Sequence, residues 1–151
     1  MKNILVEEVY RLHGSASVSV VEDIPLKEVV FRFANDPTLR GVFLVDSRQR
    51  FAGVITRADL LKWSTIMLLG GRIDVVSIAE AHRLVFATKA KDLRREGWLL
   101  LGVREADSLQ TALNQMIDNE EDIIPVLDSK RKILGDLGLA EVLLKAMEVG
   151  V

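Results

Sequence analysis

The sequence predicts an α/β chain, α+β in the broader sense, built as two β-α-β-β-α units that share one core. Three observations carry this. The stretch FAGVITRADLLKW, residues 51–63, reads as a short apolar strand entering a helix, and a diverged copy, ILGDLGLAEVLL, places Gly135 82 residues after Gly53. The match extends upstream, because Asp46 and Ser47 precede Gly53 by seven and six residues, as Asp128 and Ser129 precede Gly135. Finally, 151 residues that are 49% hydrophobic and 28% charged suit a globular chain with a core to bury. A repeat of this length implies two similar half-domains that pack together.

Taken in order, residues 3–12 place Leu5, Val9 and Leu12 at helical spacing and predict a leading helix that ends near Gly14. Residues 17–21, SVSVV, alternate and are β-branched, as a strand is. Asp23 and Pro25 then start a helix striped by Leu26, Val29, Val30 and Phe33, and 35–37 (Asn-Asp-Pro) end it. A buried-type strand over 41–45, a polar turn over 46–50, the strand 51–55 and its helix complete the first unit, residues 15–64. Residues 65–89 form a connector, with a break at Gly70-Gly71 and a helix over roughly 75–84. The second unit, 90–151, repeats the order: a strand over 99–103, a helix opened by an Asp107/Gln110 capping box, strands over 123–127 and 132–137, and a helix with Val142, Leu143, Ala146 and Met147 on its apolar face.

Composition removes whole classes of function. With no cysteine there is no disulfide, thiolate metal site or catalytic thiol. A net charge of -2 provides no basic field for nucleic acid or an anionic membrane. No run of eighteen apolar residues is present to span a bilayer, and the opening MKNILVEEVY lacks a signal peptide's apolar core, so a cytoplasmic protein is expected. His13 and His82 have no metal-ligand spacing around them, and the acidic run 118–122 lacks that of a calcium loop. Trp63 and Trp98, each beside a motif element, read as core or interface residues. Neither a phosphate-cradling loop, a dinucleotide glycine fingerprint nor a nucleophilic triad occurs, so the chain is not expected to be an enzyme.

Chemistry concentrates where the strand over 51–55 meets its helix. Thr56 and Asp59 put a hydroxyl and a carboxylate at one helix mouth, where backbone N–H groups lack intrahelical partners and anions are favoured. The plain alternative is a helix cap, since Thr-x-x-Asp is close to the capping-box pattern.

Two tandem units, each with D-S-x-x-x-x-x-G before its last helix, resemble a CBS-domain pair, also called a Bateman module. Members of that family bury one face of each repeat against the other about a pseudo-twofold axis, and adenosine-containing ligands commonly occupy the clefts beside it. The family motif is glycine, two apolar residues, Thr or Ser, any two residues, then Asp. Gly53-Val54-Ile55-Thr56-Arg57-Ala58-Asp59 matches it throughout. Resemblance implies that Asp59 accepts hydrogen bonds from ribose hydroxyls, with Thr56 near the ribose or phosphate; a planar carboxylate suits a vicinal diol. The second motif departs from the pattern: Gly138 stands for Thr, Glu141 for Asp, and Asp136 occupies an apolar slot. One competent cleft and one weak, altered or empty one are therefore expected.

The resemblance further implies a cleft in which Val54, Ile55, Thr56 and Asp59 face backbone around Leu100 and Leu101, with Ile124 and Pro125 sandwiching a base. Arg40 matches a position where some members bind phosphate, and Arg57, Lys89, Lys91, Arg94 and Arg95 are further candidates. The function so implied is a regulatory module sensing AMP, ADP, ATP, S-adenosylmethionine or a similar compound, with no cofactor required and no catalysis. A homodimer of CBS pairs and an effector protein of unknown identity are the expected partners, with no nucleic acid and no membrane. The competing reading is an oligomerisation module whose clefts bind no nucleotide, which the second motif favours and the first opposes. A fold of the ACT type ranks lower, because its repeats end on a strand.

Overall fold

In the computed structural model, which describes residues 2–69 and 78–150, the first unit comprises β1 (Ser17–Val21), α1 (Leu26–Asn35), β2 (Gly41–Val45), β3 (Phe51–Thr56) and α2 (Arg57–Leu69). Helix α3 (Ile78–Val85) follows, and then α4 (Leu109–Asn119), β4 (Ile123–Leu127), β5 (Ile133–Gly138) and α5 (Leu139–Glu148). The break at Gly70-Gly71 and the start expected for the connector helix lie outside the described residues. Strand β2 pairs with β1 in parallel and with β3 antiparallel; β4 and β5 form an antiparallel pair.

Strands β2 and β3 are buried along their whole length because both faces are covered. Phe43, Phe51 and Val54 face the second unit and join Ile123, Ile124, Val126 and Leu137 in one core. Val42, Leu44, Ala52 and Ile55 face α1, α2 and α3 in another. A β-bulge arranges this: Leu44 pairs with Gly53 but Val45 with Phe51, leaving Ala52 as the extra residue. The bulge flips the side-chain alternation, so Phe51 and Val54 lie on the same face although three residues apart. Gly53 sits there at φ 142°, a left-handed value that favours glycine. The same register shift recurs between Val126 and Leu127 opposite Gly135. The repeated glycine thus marks a bulge in each unit.

The repeated Asp-Ser marks a hairpin turn. Asp46 Oδ1 accepts the N–H groups of Arg48 and Arg50, and Asp128 Oδ1 those of Lys130 and Lys132. The two turns meet: Arg50 bridges Lys132, and Phe51 N–H donates to the Arg131 carbonyl at 2.8 Å.

Three expectations change. The leading helix over 3–12 is a single 3-10 turn, Val6–Glu8, because its backbone bonds across the molecule, Val6 N–H to the Asp107 carbonyl and Leu109 N–H to that of Ile4. The strand over 99–103 is a 3-10 turn, Trp98–Leu100, followed by one parallel bridge from Val103 to Val126. There the Gln115 amide takes both backbone groups of Gly102, at 3.0 and 2.7 Å, positions a ladder would need. The Asp107/Gln110 box does not form: Ser108 caps α4 by accepting from Thr111 N–H, while Asp107 accepts from Arg104 N–H.

Each unit is closed by chain that precedes the other. Val6 and Val9 lie in the core of the second unit, and Tyr10 packs against Gly135. Ala90 and Leu93 lie in the core beneath the first unit, and Arg94 packs against Gly53. No helix among the described residues is long and apolar enough to cross a membrane.

Candidate functional site

The principal cleft, of about 810 Å³, opens between the two units. One wall is the loop 37–40 before β2 together with Thr56, Arg57 and Ala58 at the start of α2; the other is Met116, Ile117 and the turn 120–122 before β4, with Leu139 at the start of α5. These are equivalent parts of the two repeats, so the cleft straddles the axis that relates them. Its size falls in the range of small-molecule sites, roughly 300–1,000 Å³.

Thr56 ends β3 and opens α2, and its backbone N–H and hydroxyl both donate to Asp59 Oδ2, at 2.8 and 3.1 Å. Asp59 therefore caps the helix; it is buried and is not one of the residues that line the cleft, and its Oδ1 makes no hydrogen bond among the described residues. Burial raises its pKa, opposed first by the two Thr56 hydrogen bonds and then by Arg95. Glu121 of the other unit is buried and raised further, to about 7, by desolvation and by the neighbouring Asp59 carboxylate. Arg95 offsets part of this through a 2.8 Å ion pair with Glu121.

Three guanidinium groups line the cleft, and two are engaged. Arg57 donates to the Phe33 and Asp36 carbonyls and lies over the Phe33 ring, so it caps the end of α1. Arg95 holds Glu121. The Arg40 guanidinium alone of the three makes no hydrogen bond or ion pair among the described residues. Of the other basic candidates, Lys91 is tied to Asp23, and Arg94 to Glu22 and the Ala52 carbonyl over the Trp98 ring, while Lys89 is exposed outside the cleft.

The structure thus brings together Arg40, Thr56 and Arg57 in the cleft lining, while Asp59 is linked to it only through its hydrogen bonds to Thr56. Val54 and Ile55 are buried in β3, pointing into the two cores. It does not bring Leu100, Leu101, Ile124 or Pro125 to this cleft: Leu100 is exposed, Leu101 is buried beside a smaller recess with Arg95 and Glu121, and Ile124 and Pro125 are covered within β4. The opposite wall comes instead from the end of α4 and the turn after it. The acidic run 118–122 was the available signal for that wall, since it ends where β4 begins, as Arg40 ends where β2 begins.

The second motif is closed. The Tyr10 ring covers Gly135, and Asp136 Oδ2 accepts from Ser15 Oγ, Ala16 N–H and Ser17 Oγ at 2.7, 3.0 and 2.5 Å. Three donors explain a charged residue in a slot that is apolar in the first motif. Only a cavity of about 20 Å³ remains there, lined by Tyr10, Arg40, Gly138 and Glu141 among others. That is room for about one water.

Residues 6–65 match the family model for the CBS domain. The fold is similar to that of a CBS domain-containing protein from Thermotoga maritima, with 28% identity over 98% of this chain and 97% of that one, at a TM-score of 0.79. It is also similar to CBSX2, crystallised with AMP (18% identity, 99% and 100% covered, TM-score 0.68). A third likeness is to a CBS domain pair crystallised with 5′-methylthioadenosine and S-adenosylmethionine (12%, 96% and 97%, 0.67). Among curated proteins, none matches.

Proposed function

The chain is a tandem CBS module, and from that premise we propose that it is a non-catalytic regulatory module whose principal cleft binds an adenosine compound carrying one phosphate. The observation that carries this reading is the unpaired Arg40 guanidinium in an 810 Å³ cleft beside an intact Gly53–Asp59 motif. Asp59 Oδ1 is the acceptor left for a ribose hydroxyl, and Arg40 is the free partner for a phosphate. The similar structures crystallised with AMP, or with 5′-methylthioadenosine and S-adenosylmethionine, support the ligand class. One free guanidinium facing Glu120, Glu121 and Asp122 favours a monophosphate over a triphosphate, whose extra charge meets carboxylates instead of cations. A ligand touching both walls has differential affinity for the closed arrangement, as a regulatory shift requires.

Thermal unfolding of nucleotide-free protein against adenosine, AMP, ADP, ATP and S-adenosylmethionine tests this. A ligand at a hundred times its Kd adds about 2.7 kcal/mol. Asp59→Asn retains an oxygen for the Thr56 cap but replaces the second acceptor, so it loses roughly ten- to a hundredfold in AMP affinity with little change in Tm. Absence of any shift would sink the sensor reading in favour of an oligomerisation module. Exposed Leu61 and Leu68 on α2, and Leu144 and Met147 on α5, support a homodimer in either case; sedimentation as a monomer would rule the dimer out.

A further inference from the structure

Glu141 stands where the first motif has Asp59, and Gly138 where it has Thr56. The two changes fit each other sterically, because a Cβ at Gly138 would overlap Glu141 Oε2. The longer acid occupies the room that the missing side chain leaves. In that place Oε2 is buried and has no hydrogen-bond partner among the described residues. A buried carboxylate oxygen without a donor is costly and calls for an explanation. A cation borders the same spot: Arg40 Nη1 stands 3.5 Å from the position of that added Cβ, and Arg40 lines both the small cavity of the second motif and the principal cleft.

We propose that Arg40 is shared between two anions, the Glu141 carboxylate on the side of the second motif and a ligand phosphate on the side of the cleft. Glu141 thereby sets how strongly the cleft holds anionic ligands. The idea rests on the cleft being a nucleotide site. A guanidinium is a planar fork on a flexible stem that pairs with either a carboxylate or a phosphate, and rotation about its side-chain torsions exchanges one anion for the other without backbone movement. Both anions need the same donors, so they compete. A neutral nucleoside makes no claim on Arg40 and escapes the competition. Were Glu141 only a filler above Gly138, no such discrimination between ligands would follow.

Glu141→Gln keeps the shape and removes the charge. Titration calorimetry with AMP and with adenosine, on wild type, Glu141→Gln, Arg40→Ala and the double variant, reads the competition. Glu141→Gln is expected to bind AMP roughly three- to tenfold more tightly while adenosine affinity stays within about twofold, and the gain vanishes in the Arg40→Ala background. An unchanged AMP affinity, an equal gain for adenosine, or a gain that survives Arg40→Ala would overturn the proposal. Thermal unfolding of the same four proteins without ligand tests the pairing by itself: effects that fail to add support it, and additive effects refute it. If wild type binds neither compound, the nucleotide reading falls, and this unfolding cycle still decides whether Arg40 and Glu141 interact.

Discussion

Asp59 caps α2 with one of its two oxygens: Oδ2 holds the start of the helix through Thr56, and Oδ1 makes no hydrogen bond among the described residues. Capping, which the sequence offers as the alternative to binding, thus engages one oxygen and leaves the other for the ligand proposed above. Asp59→Ala removes the cap as well and costs about 1 kcal/mol of stability, a loss that Asp59→Asn avoids. Glu121, from the other repeat, is buried within the field of the Asp59 carboxylate, and desolvation together with that charge raises its pKa to about 7 from 4.5. A carboxyl whose folded pKa is raised binds its proton more tightly in the native state. Its stabilising contribution is whole below pH 4.5 and is lost as pH rises through about 7. Up to about 3 kcal/mol is at stake over that window. Chemical denaturation from pH 4.5 to 8 should show this decline in wild type and a flatter profile in Glu121→Gln; identical profiles would show that Glu121 is not the titrating group. Nothing in the sequence pairs residues 59 and 121. Only the packing of the repeats brings the two carboxylates together.

At the scale of elements, apolar patterning identified α1, β2, β3, β4 and α5; packing covers the three strands throughout and, on the helices, Leu26, Val29, Phe33, Val142 and Ala146, while Leu143 and Met147 of the expected α5 face stay exposed. It failed at residues 99–103, where the apolar run LLLGV looks like a strand. Leu99 and Leu100 are exposed, and Gly102, at φ 116°, has its backbone groups bound by the Gln115 side chain from α4. A long-range side-chain clamp of this kind leaves no local signature. Gln115→Ala should cost about 1–2 kcal/mol in urea unfolding, since it strands two partly buried backbone groups. Gln110→Ala, on the same helix but bonded only to Asn114, should stay within about 0.5 kcal/mol. Equal effects at the two glutamines would disprove the clamp. The glycine of each motif was legible as a repeat; its role as a bulge that turns Phe51 and Val54 to one face emerges only from strand register.

For the whole molecule, the repeat told that two halves share a core, and Phe43, Phe51 and Val54 against Ile123, Ile124 and Val126 are that core. The exchange of leading segments was not legible, because 3–12 has helical spacing yet bonds to residues 105–109. That exchange has a consequence for the chain as a polymer. A break placed between residues 69 and 78 leaves one piece holding the first repeat with the strap of the second, and another holding the second repeat with the strap of the first. Neither piece can close its own core, so each alone should lack a cooperative melt, whereas their equimolar mixture should regain one whose midpoint rises with concentration. A cooperative melt from either piece alone would refute this. The single chain is in this sense an obligate heterodimer with its subunits tethered, and the residues between them contribute effective concentration.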